Sequence, residues 1–346
     1  MKETSKSNES AKSIEELADE IAEFQETFRK LLAEAGVGIV GYEDVVTDIL
    51  VAIFSNGHVL LEGVPGLGKT YMVRVLSRML DLSFGRVQCT PDLMPADILG
   101  THIVDEDAKG RSMFRFQKGP IFAHMILVDE VNRATPKTQS ALLEAMQEHR
   151  VTAGDDRFEL PEPFFVLATQ NPLEMEGTYP LPEAQLDRFF FKLQVPFPDA
   201  DALVDISKRT TGFREPDIKT VVAGADIVRM QELLTHVGIA DPLTRYAANI
   251  VLATHPDKEA ATNEIRRYVS YGASPRGLQA LVRGARAHCL LANRTAVSIE
   301  DIRRASLPAL RHRVILNFEG EAESVDVDAL IKDVVARALA LEVEAA

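Results

Sequence analysis

The chain has 346 residues, a formal net charge of −14 and two cysteines. That length allows two or three domains, each able to bury a core of its own. The 46% hydrophobic and 26% charged residues are typical of a globular protein, which argues against a largely disordered chain. An acidic surface repels phosphate backbones, so nucleic-acid binding is disfavoured unless a local basic patch overrides the repulsion.

The cysteines and the N-terminus bear on location. Cys89 and Cys289 lie far apart in sequence, which favours two reduced structural thiols and no metal site. The first residues are polar and lack the apolar segment of a signal peptide. No window holds the roughly 18 uninterrupted apolar residues of a membrane span. These features predict a cytoplasmic protein with no membrane span.

The N-terminal segment divides into two parts. Residues 1–13 are rich in Ser, Lys and Glu and are predicted to be a disordered tail. Apolar residues then recur at steps of three and four from Ile14 to Leu31, which predicts an amphipathic helix that ends near Gly36. We expect its apolar stripe to pack on the domain that follows, and a coiled coil is the alternative.

From Gly41 to Pro196 the pattern alternates between strands and helices. Strands are predicted over residues 59–63, 84–88, 125–129 and 164–169, and a helix follows the first of them. This alternation predicts a parallel, doubly wound sheet that binds its ligand at the C-terminal edge. Residues 199–346 instead show helical periods, with helices predicted over 242–254, 275–292 and after the cap signal at Ser298. The predicted fold is therefore an α/β domain over 14–198 and a smaller all-helical C-terminal domain.

A phosphate-binding motif follows the first strand. Its residues match the pattern G-x-x-x-x-G-K-[ST] and are Gly63, Val64, Pro65, Gly66, Leu67, Gly68, Lys69 and Thr70. Glycines let backbone N–H groups surround phosphates, Lys69 reaches the β- and γ-phosphates, and the Thr70 hydroxyl is a ligand for Mg²⁺. Tyr71, directly after the motif, belongs to the predicted nucleotide-binding set. The motif predicts a site for ATP and Mg²⁺.

Acidic residues end the strand over 125–129. Asp129 is predicted to hold Mg²⁺, and Glu130 is predicted to polarise the attacking water. We expect this pair at the tip of the strand that adjoins the phosphate loop. Two carboxylates in that place indicate hydrolysis of the nucleotide.

Three further polar residues are candidates for the catalytic site. Asn171 follows the next strand, where it would reach the γ-phosphate or the water. Arg188 and Arg276 are candidates for neutralising phosphate charge, although a surface arginine is the simpler interpretation of each.

The motifs taken together resemble those of the AAA+ ATPases, and most specifically the MoxR family. They are IVG at 39–41, the phosphate loop, VDEVNRA at 128–134, ATQNP at 168–172, PEAQLDRF at 182–189 and ASPR at 273–276. They occur in the family's order and cover about residues 36–310. The resemblance implies an AAA+ core followed by a helical lid domain.

The resemblance also implies roles for individual residues. Asn171 would be sensor 1, Arg276 sensor 2, and Arg188 an arginine finger inserted into the neighbouring subunit's site. Val40 and Gly41 would lie against the adenine, whereas Tyr42 stands where relatives usually carry a glutamine. A finger acting between subunits implies a homo-oligomeric ring, and the family suggests a hexamer.

Two segments of the α/β domain are additions to a simple strand–helix alternation. Residues 90–124 include Phe114 and Phe116 beside the cations Lys109, Arg111, Arg115 and Lys118. Residues 151–160 predict a hairpin that turns at Gly154. The resemblance implies that these segments are the helix-2 insert and the pre-sensor-1 hairpin, which project toward the ring pore.

Several functions are compatible with such an ATPase. The first is chaperone-like remodelling, or insertion of a cofactor or metal, in a partner protein that often carries a von Willebrand factor A domain. The others are a nucleic-acid motor, which the interleaved Phe and basic residues would suit, and a slow regulatory scaffold. A GTPase and a σ-dependent transcription activator are disfavoured, because the Asn-Lys-x-Asp and Gly-Ala-Phe-Thr-Gly-Ala motifs do not occur.

Overall fold

A five-stranded parallel sheet forms the centre of the α/β domain. The computed structural model describes residues 14–106, 112–154, 156–172, 177–210 and 216–345, so the predicted tail 1–13 lies outside the described residues. The strands of the sheet are β1 (Val59–Glu62), β2 (Phe84–Gln88), β5 (Met125–Asp129), β8 (Phe165–Gln170) and β9 (Phe191–Gln194). They agree with the predicted strands to within one residue at each end and add β9.

The strand order is β2-β5-β8-β1-β9, with every neighbouring pair parallel. All five strands therefore end at the same edge of the sheet. The prediction that the acidic pair ends the strand next to the phosphate-loop strand is wrong, because β8 lies between β1 and β5. The chain crosses from β1 to β2 over the positions that β8 and β5 occupy in the sheet. Local sequence patterns do not encode the length of this crossover.

The three central strands, β1, β5 and β8, are mainly apolar because both faces of the sheet are covered there. Val59 and Leu61 face one helical layer, whereas Leu60, between them, faces the other. The same alternation holds in β5 and β8. Continuous apolar runs are typical of parallel strands buried on both sides.

Helices cover the sheet and continue into the lid. In the α/β domain they are α1 (Ile14–Gly38), α2 (Glu43–Phe54), α3 (Lys69–Met79), α4 (Pro95–Leu99), α5 (Pro136–Glu148) and α6 (Glu183–Leu186). Beyond the sheet they are α7 (Ala200–Thr210), α8 (Gly224–His236), α9 (Asp241–Ala253), α10 (Asn263–Tyr268), α11 (Pro275–Leu291), α12 (Ile299–Leu310), α13 (Phe318–Ala322) and α14 (Val327–Ala345). The lid is helical as predicted, with one short antiparallel ladder of β10 (Val269–Tyr271) and β11 (Ile315–Leu316).

Helix α1 packs on the rest of the chain, as expected from its apolar stripe. Phe24 and Phe28 contact Phe54 of α2, with ring centroids 5.1 and 5.9 Å apart. Gln25 Nε2 also donates to the carbonyl oxygen of Leu291 in the lid helix α11. The helix therefore contacts both the α/β domain and the lid.

The lid packs directly on the sheet. Residues of α9, α11, α12 and α14 belong to the same buried apolar cluster as β1 and β9. Gly284 of α11 permits the close approach, since a Cβ there would lie 3.0 Å from both Phe191 and Ala305.

The two added segments are β-hairpins that contact each other. Strands β3 (Gly100–Glu106) and β4 (Ser112–Lys118) form the first, and β6 (Arg150–Ala153) and β7 (Asp156–Glu159) form the second. Phe116 stacks on Phe158 with centroids 4.1 Å apart, which joins the hairpins. Lys109 and Arg111 lie outside the described residues.

Among the described residues, no helix combines the length and the apolar composition that crossing a membrane requires.

Candidate functional site

The phosphate loop has the backbone conformation that an anion site requires. Gly66 and Gly68 have φ angles of +86° and +74°, which side-chain-bearing residues rarely adopt, and a Cβ at either position would meet open space. Gly68 is the N-cap of α3, so the N-terminus of that helix opens beside the loop. Free N–H groups and the helix dipole at such an end favour a bound phosphate.

Lys69 is the first residue of α3 and lies against the loop. Its Nζ donates to the carbonyl oxygen of Gly63 at 2.6 Å. Burial lowers the pKa of Lys69, and the carboxylates of Asp129, Glu130 and Glu62 oppose that shift. The loop thus holds a cation at the place where phosphate charge is expected.

The acidic pair lies at the same edge and is held by one threonine. Thr169, near the end of β8, donates from Oγ1 to Asp129 Oδ1 at 3.2 Å. The same oxygen accepts from the backbone N–H of Glu130 at 2.9 Å. Glu130 has a left-handed φ of +55° and begins a 3₁₀ turn over Val131–Arg133. The two consecutive carboxylates have different partners on β2, Arg86 for Asp129 and Gln88 for Glu130.

The residues present fit a magnesium ion. Thr70 Oγ1 lies 3.4 Å from Asp129 Oδ2, so a hydroxyl and a carboxylate oxygen meet beside the loop. Across the part of the chain that the structure describes, no group of three or more His, Cys, Asp and Glu could hold a metal. Mg²⁺ commonly takes one or two protein oxygens and completes its shell with water and phosphate. Thr70 and Asp129 are therefore the residues that would hold it.

Two residues of β2 that the sequence analysis missed contact the acidic pair. Arg86 reaches Asp129 Oδ2 through Nε at 2.9 Å and Nη2 at 2.8 Å. Gln88 Nε2 donates to Glu130 Oε2 at 3.1 Å. The pairing of Gln88 with Asp129 across β2 and β5 explains this proximity. The strand order was the missing information, because β2 carries no motif of its own.

These groups line one polar cleft with a volume of about 470 Å³. Its lining comprises Pro65, Gly66, Gly68, Lys69, Thr70, Tyr71, Arg74, Arg86, Gln88, Asp129, Glu130, Thr169 and Asn171. The buried Asn171 is thus brought to the cleft as expected, whereas Arg74 and Thr169 were not singled out. Three cations in one cleft of an acidic chain suit a highly anionic ligand.

An apolar cavity of about 330 Å³ adjoins the cleft and shares Gly66, Gly68 and Tyr71 with it. Its other lining residues are Gly38, Ile39, Val40, Tyr42, Leu67, Met72, Phe197, Pro198, Leu203, Ile206 and Arg209. Val40, predicted to lie against the adenine, lines this cavity. Gly41 is not part of the lining: its φ is +78°, and a Cβ there would lie 2.8 Å from Ala202. An apolar cavity joined to a cationic cleft suits a ligand with a flat base and several phosphates.

Arg188 and Arg276 line neither cavity. Arg188 lies in a separate groove of about 290 Å³ between α5 and α6, with Ser140 and Gln185 among its neighbours. Arg276 is 44% exposed, and its Nη1 lies 3.9 Å from Asp187 Oδ2. The structure therefore brings together Lys69, Thr70, Asp129, Glu130 and Asn171, but not the two arginines with them.

The comparisons with known proteins agree with this geometry. A family model described as "ATPase family associated with various cellular activities (AAA)" matches residues 58–191. A second model, described as "AAA lid domain", matches residues 262–334.

Curated relatives and a solved structure match most of the chain. "Chaperone MoxR1" of Mycobacterium tuberculosis is 39% identical over 92% of this chain and 83% of its own length. "Uncharacterized protein YeaC" of Bacillus subtilis is 41% identical over 90% of this chain and 95% of its own length. A crystal structure of a candidate ATPase from Cytophaga hutchinsonii superposes with a TM-score of 0.86 at 40% identity, covering 93% of this chain and 96% of that one.

Replacing Lys69 tests the cleft as a phosphate site. Lys69→Ala should weaken ATP binding about 10- to 150-fold, because a charge-assisted hydrogen bond contributes about 1.5–3 kcal/mol. Calorimetric titration with ATP measures the change, and Lys332→Ala, on the lid helix α14, is the control. An unchanged dissociation constant for Lys69→Ala would contradict the assignment of the loop.

Proposed function

The chain belongs to the MoxR family of AAA+ ATPases, and from that membership we propose that it hydrolyses ATP with Mg²⁺ to remodel a partner protein. The observation that carries the hydrolysis is the position of the acidic pair. Asp129 and Glu130 line the same cleft as Lys69 and the positive-φ glycines of the phosphate loop. A water-polarising carboxylate beside a triphosphate site is the arrangement that hydrolysis requires.

Each residue of the cleft has a separate task. The loop amides and Lys69 bind and orient the phosphates, and Mg²⁺, when bound, neutralises part of their charge. Glu130 accepts the proton of the attacking water, while Gln88 holds its carboxylate in place. Asn171 donates or accepts a hydrogen bond at the γ-phosphate end of the cleft. The apolar cavity that contains Val40 covers the adenine.

Arg188 acts on the neighbouring subunit of a ring, which we expect to be a hexamer. Its absence from the lining of its own cleft supports this assignment. Arginine fingers supplied by a neighbour are worth about 10³–10⁵ in rate, so an isolated subunit would turn over slowly.

The partner is a protein, and the β3–β4 hairpin is the surface that meets it. Phe114, Val104 and Met113 of that hairpin are 77%, 64% and 51% exposed. The M. tuberculosis relative is named a chaperone, which supports a client-directed role. The resemblance adds a partner with a von Willebrand factor A domain and the maturation of a cofactor or metal site.

The two cations of the hairpin that the structure describes argue against a nucleic-acid motor. Arg115 pairs with Asp105 at 2.9 Å, and Lys118 lies 4.9 Å from the ring centroid of Phe122. Both cations already have a partner within the chain, which lowers their availability to phosphates, although Arg115 is 62% exposed.

Removing the base at Glu130 tests the hydrolysis. Glu130→Gln should bind Mg·ATP within about twofold of the wild type and lose at least about 100-fold in turnover, since a positioned general base contributes about 10²–10⁴-fold. Phosphate release measures turnover, and Glu259→Gln, an exposed glutamate of the lid, is the control. Turnover near the wild-type rate would remove Glu130 from this role.

Subunit mixing tests the finger. Arg188→Ala subunits keep an intact cleft, and Glu130→Gln subunits keep an intact finger. Each variant alone should show almost no turnover. If the finger acts between subunits, an equal mixture should regain about a quarter of wild-type turnover, because about a quarter of the interfaces pair an intact cleft with an intact finger. Light scattering confirms assembly. An assembled mixture that stays inactive would indicate a role within one subunit or none.

Stimulation of hydrolysis tests the class of partner. A protein with a von Willebrand factor A domain, encoded beside this ATPase, should raise turnover severalfold, and single- or double-stranded DNA should not. Phe114→Ser should abolish the stimulation, whereas Phe318→Ser, which alters an 86% exposed lid aromatic, should retain it. Stimulation by DNA with a steep salt dependence would instead support the motor. No stimulation by either, with slow turnover, would support the scaffold.

A further inference from the structure

Asp187 is the point at which the segment carrying Arg188 meets the lid. Its carboxylate accepts from Ser274 Oγ, which lies 2.8 Å from both oxygens. It also accepts from Arg313 Nε at 2.8 Å, and Arg276 Nη1 lies 3.9 Å away. Through this carboxylate, Asp187 joins the segment that carries Arg188 to the start of α11 and to the segment after α12.

Arg313 fixes the backbone on both sides of Arg188. It is 5% exposed, and its Nη2 donates to the carbonyl oxygens of Asp187 at 3.0 Å and Phe189 at 2.7 Å. Its Nη1 donates to the carbonyl oxygen of Phe190 at 3.3 Å. Burial lowers the pKa of Arg313, and Asp187 opposes that shift. The residue on either side of Arg188 is thus held by one buried guanidinium.

Ser274 fixes the position of Arg276 in the same way. It is the N-cap of α11, and its Oγ accepts from the backbone N–H of Arg276 at 3.1 Å. The same hydroxyl donates to Asp187. Arg276, the second residue of α11, is therefore positioned by a cap that is itself anchored on Asp187.

We infer that Asp187 is a positioning residue that holds Arg188 and Arg276 as one unit, with Ser274 and Arg313 as its partners. This inference rests on the proposed ATPase function for its catalytic meaning. Arg313 and Ser274 of the lid anchor the backbone on both sides of Arg188 and the start of α11, so the two arginines keep a constant relation to each other. Asp187 therefore affects turnover through both arginines without contacting the nucleotide.

The chain offers a matched control for Asp187. Asp328 accepts from Arg311 at 3.1 and 2.7 Å, in an ion pair of the lid with a similarly buried carboxylate, and neither residue contacts Arg188 or Arg276. Asp187→Asn and Asp328→Asn each remove one charge from a buried pair. Both substitutions should lower thermal stability. A difference in turnover between the two variants then reports the positioning role of Asp187 and not the loss of stability that they share.

The test compares kcat and the dissociation constant for Mg·ATP between these two variants. Asp187→Asn should lower kcat about 10- to 100-fold relative to Asp328→Asn, because a displacement of about 1 Å can cost about 10²-fold in rate. The dissociation constant for Mg·ATP should be equal in the two variants, since Asp187 does not line the cleft. Equal kcat values in the two folded variants would overturn the inference.

A second pair of variants covers the case in which Asp187→Asn does not fold. Ser274→Ala removes the cap that contacts Asp187, and Ser298→Ala removes the corresponding cap of α12, which bonds to Asp301. Ser274→Ala should lower kcat at least about tenfold more than Ser298→Ala does. The amides of residues 186–190 should also exchange with deuterium about tenfold faster in Ser274→Ala than in Ser298→Ala. Equal turnover together with equal exchange would overturn the inference.

The two proposals fail in different ways. A wild-type protein that hydrolyses no ATP, alone or assembled, would overturn the proposed function, and the exchange measurement would still decide whether Asp187 joins the two segments. If the wild type hydrolyses ATP and kcat is equal within each pair of variants (Asp187→Asn with Asp328→Asn, and Ser274→Ala with Ser298→Ala), only the positioning role would be overturned.

Discussion

The parallel alignment of β1, β5 and β8 is the constraint on which the site depends. Because the strands run the same way, the phosphate loop, the acidic pair and Asn171 all follow strand ends at one edge of the sheet. Burial on both faces keeps the strands in register, since a shift of one residue would turn Leu60 toward the wrong helical layer. The catalytic geometry is therefore a consequence of how the core is packed.

Within that frame, a few hydrogen bonds determine what each acid can do. Thr169 holds both acidic residues from the neighbouring strand, and β2 supplies a partner for each carboxylate. Arg86 partly neutralises Asp129, so the site is a balanced set of charges and not an isolated acidic cluster. Gln88 holds the Glu130 carboxylate through a hydrogen bond from its uncharged amide, and Arg133 Nη1 lies 3.4 Å from the same oxygen.

The lid is joined to the α/β domain by apolar packing and by a buried charge. Arg313 has its guanidinium almost fully buried, and its bonds to Asp187 and to successive carbonyl oxygens compensate that burial. Breaking this set would leave a charge in an apolar interior, so Arg313 holds the lid against the segment that carries Arg188. In the proposed function, such a connection carries a change at the nucleotide to a distant surface.

The amino-acid sequence determined the elements and residues whose evidence is local. The phosphate loop lies within eight consecutive positions, the acids end an apolar run, and helix α12 begins directly after its N-cap Ser298. Each of these signals is contained in a short window, so periodicity and motif spacing were sufficient to predict them. Tertiary structure decided which distant segments meet: that β8 separates β1 from β5, that Arg86 and Gln88 reach the acids, and that Asp187 meets Arg313 across 126 positions. Those contacts depend on strand order and on the packing of the lid, and neither is encoded in any single stretch of the chain.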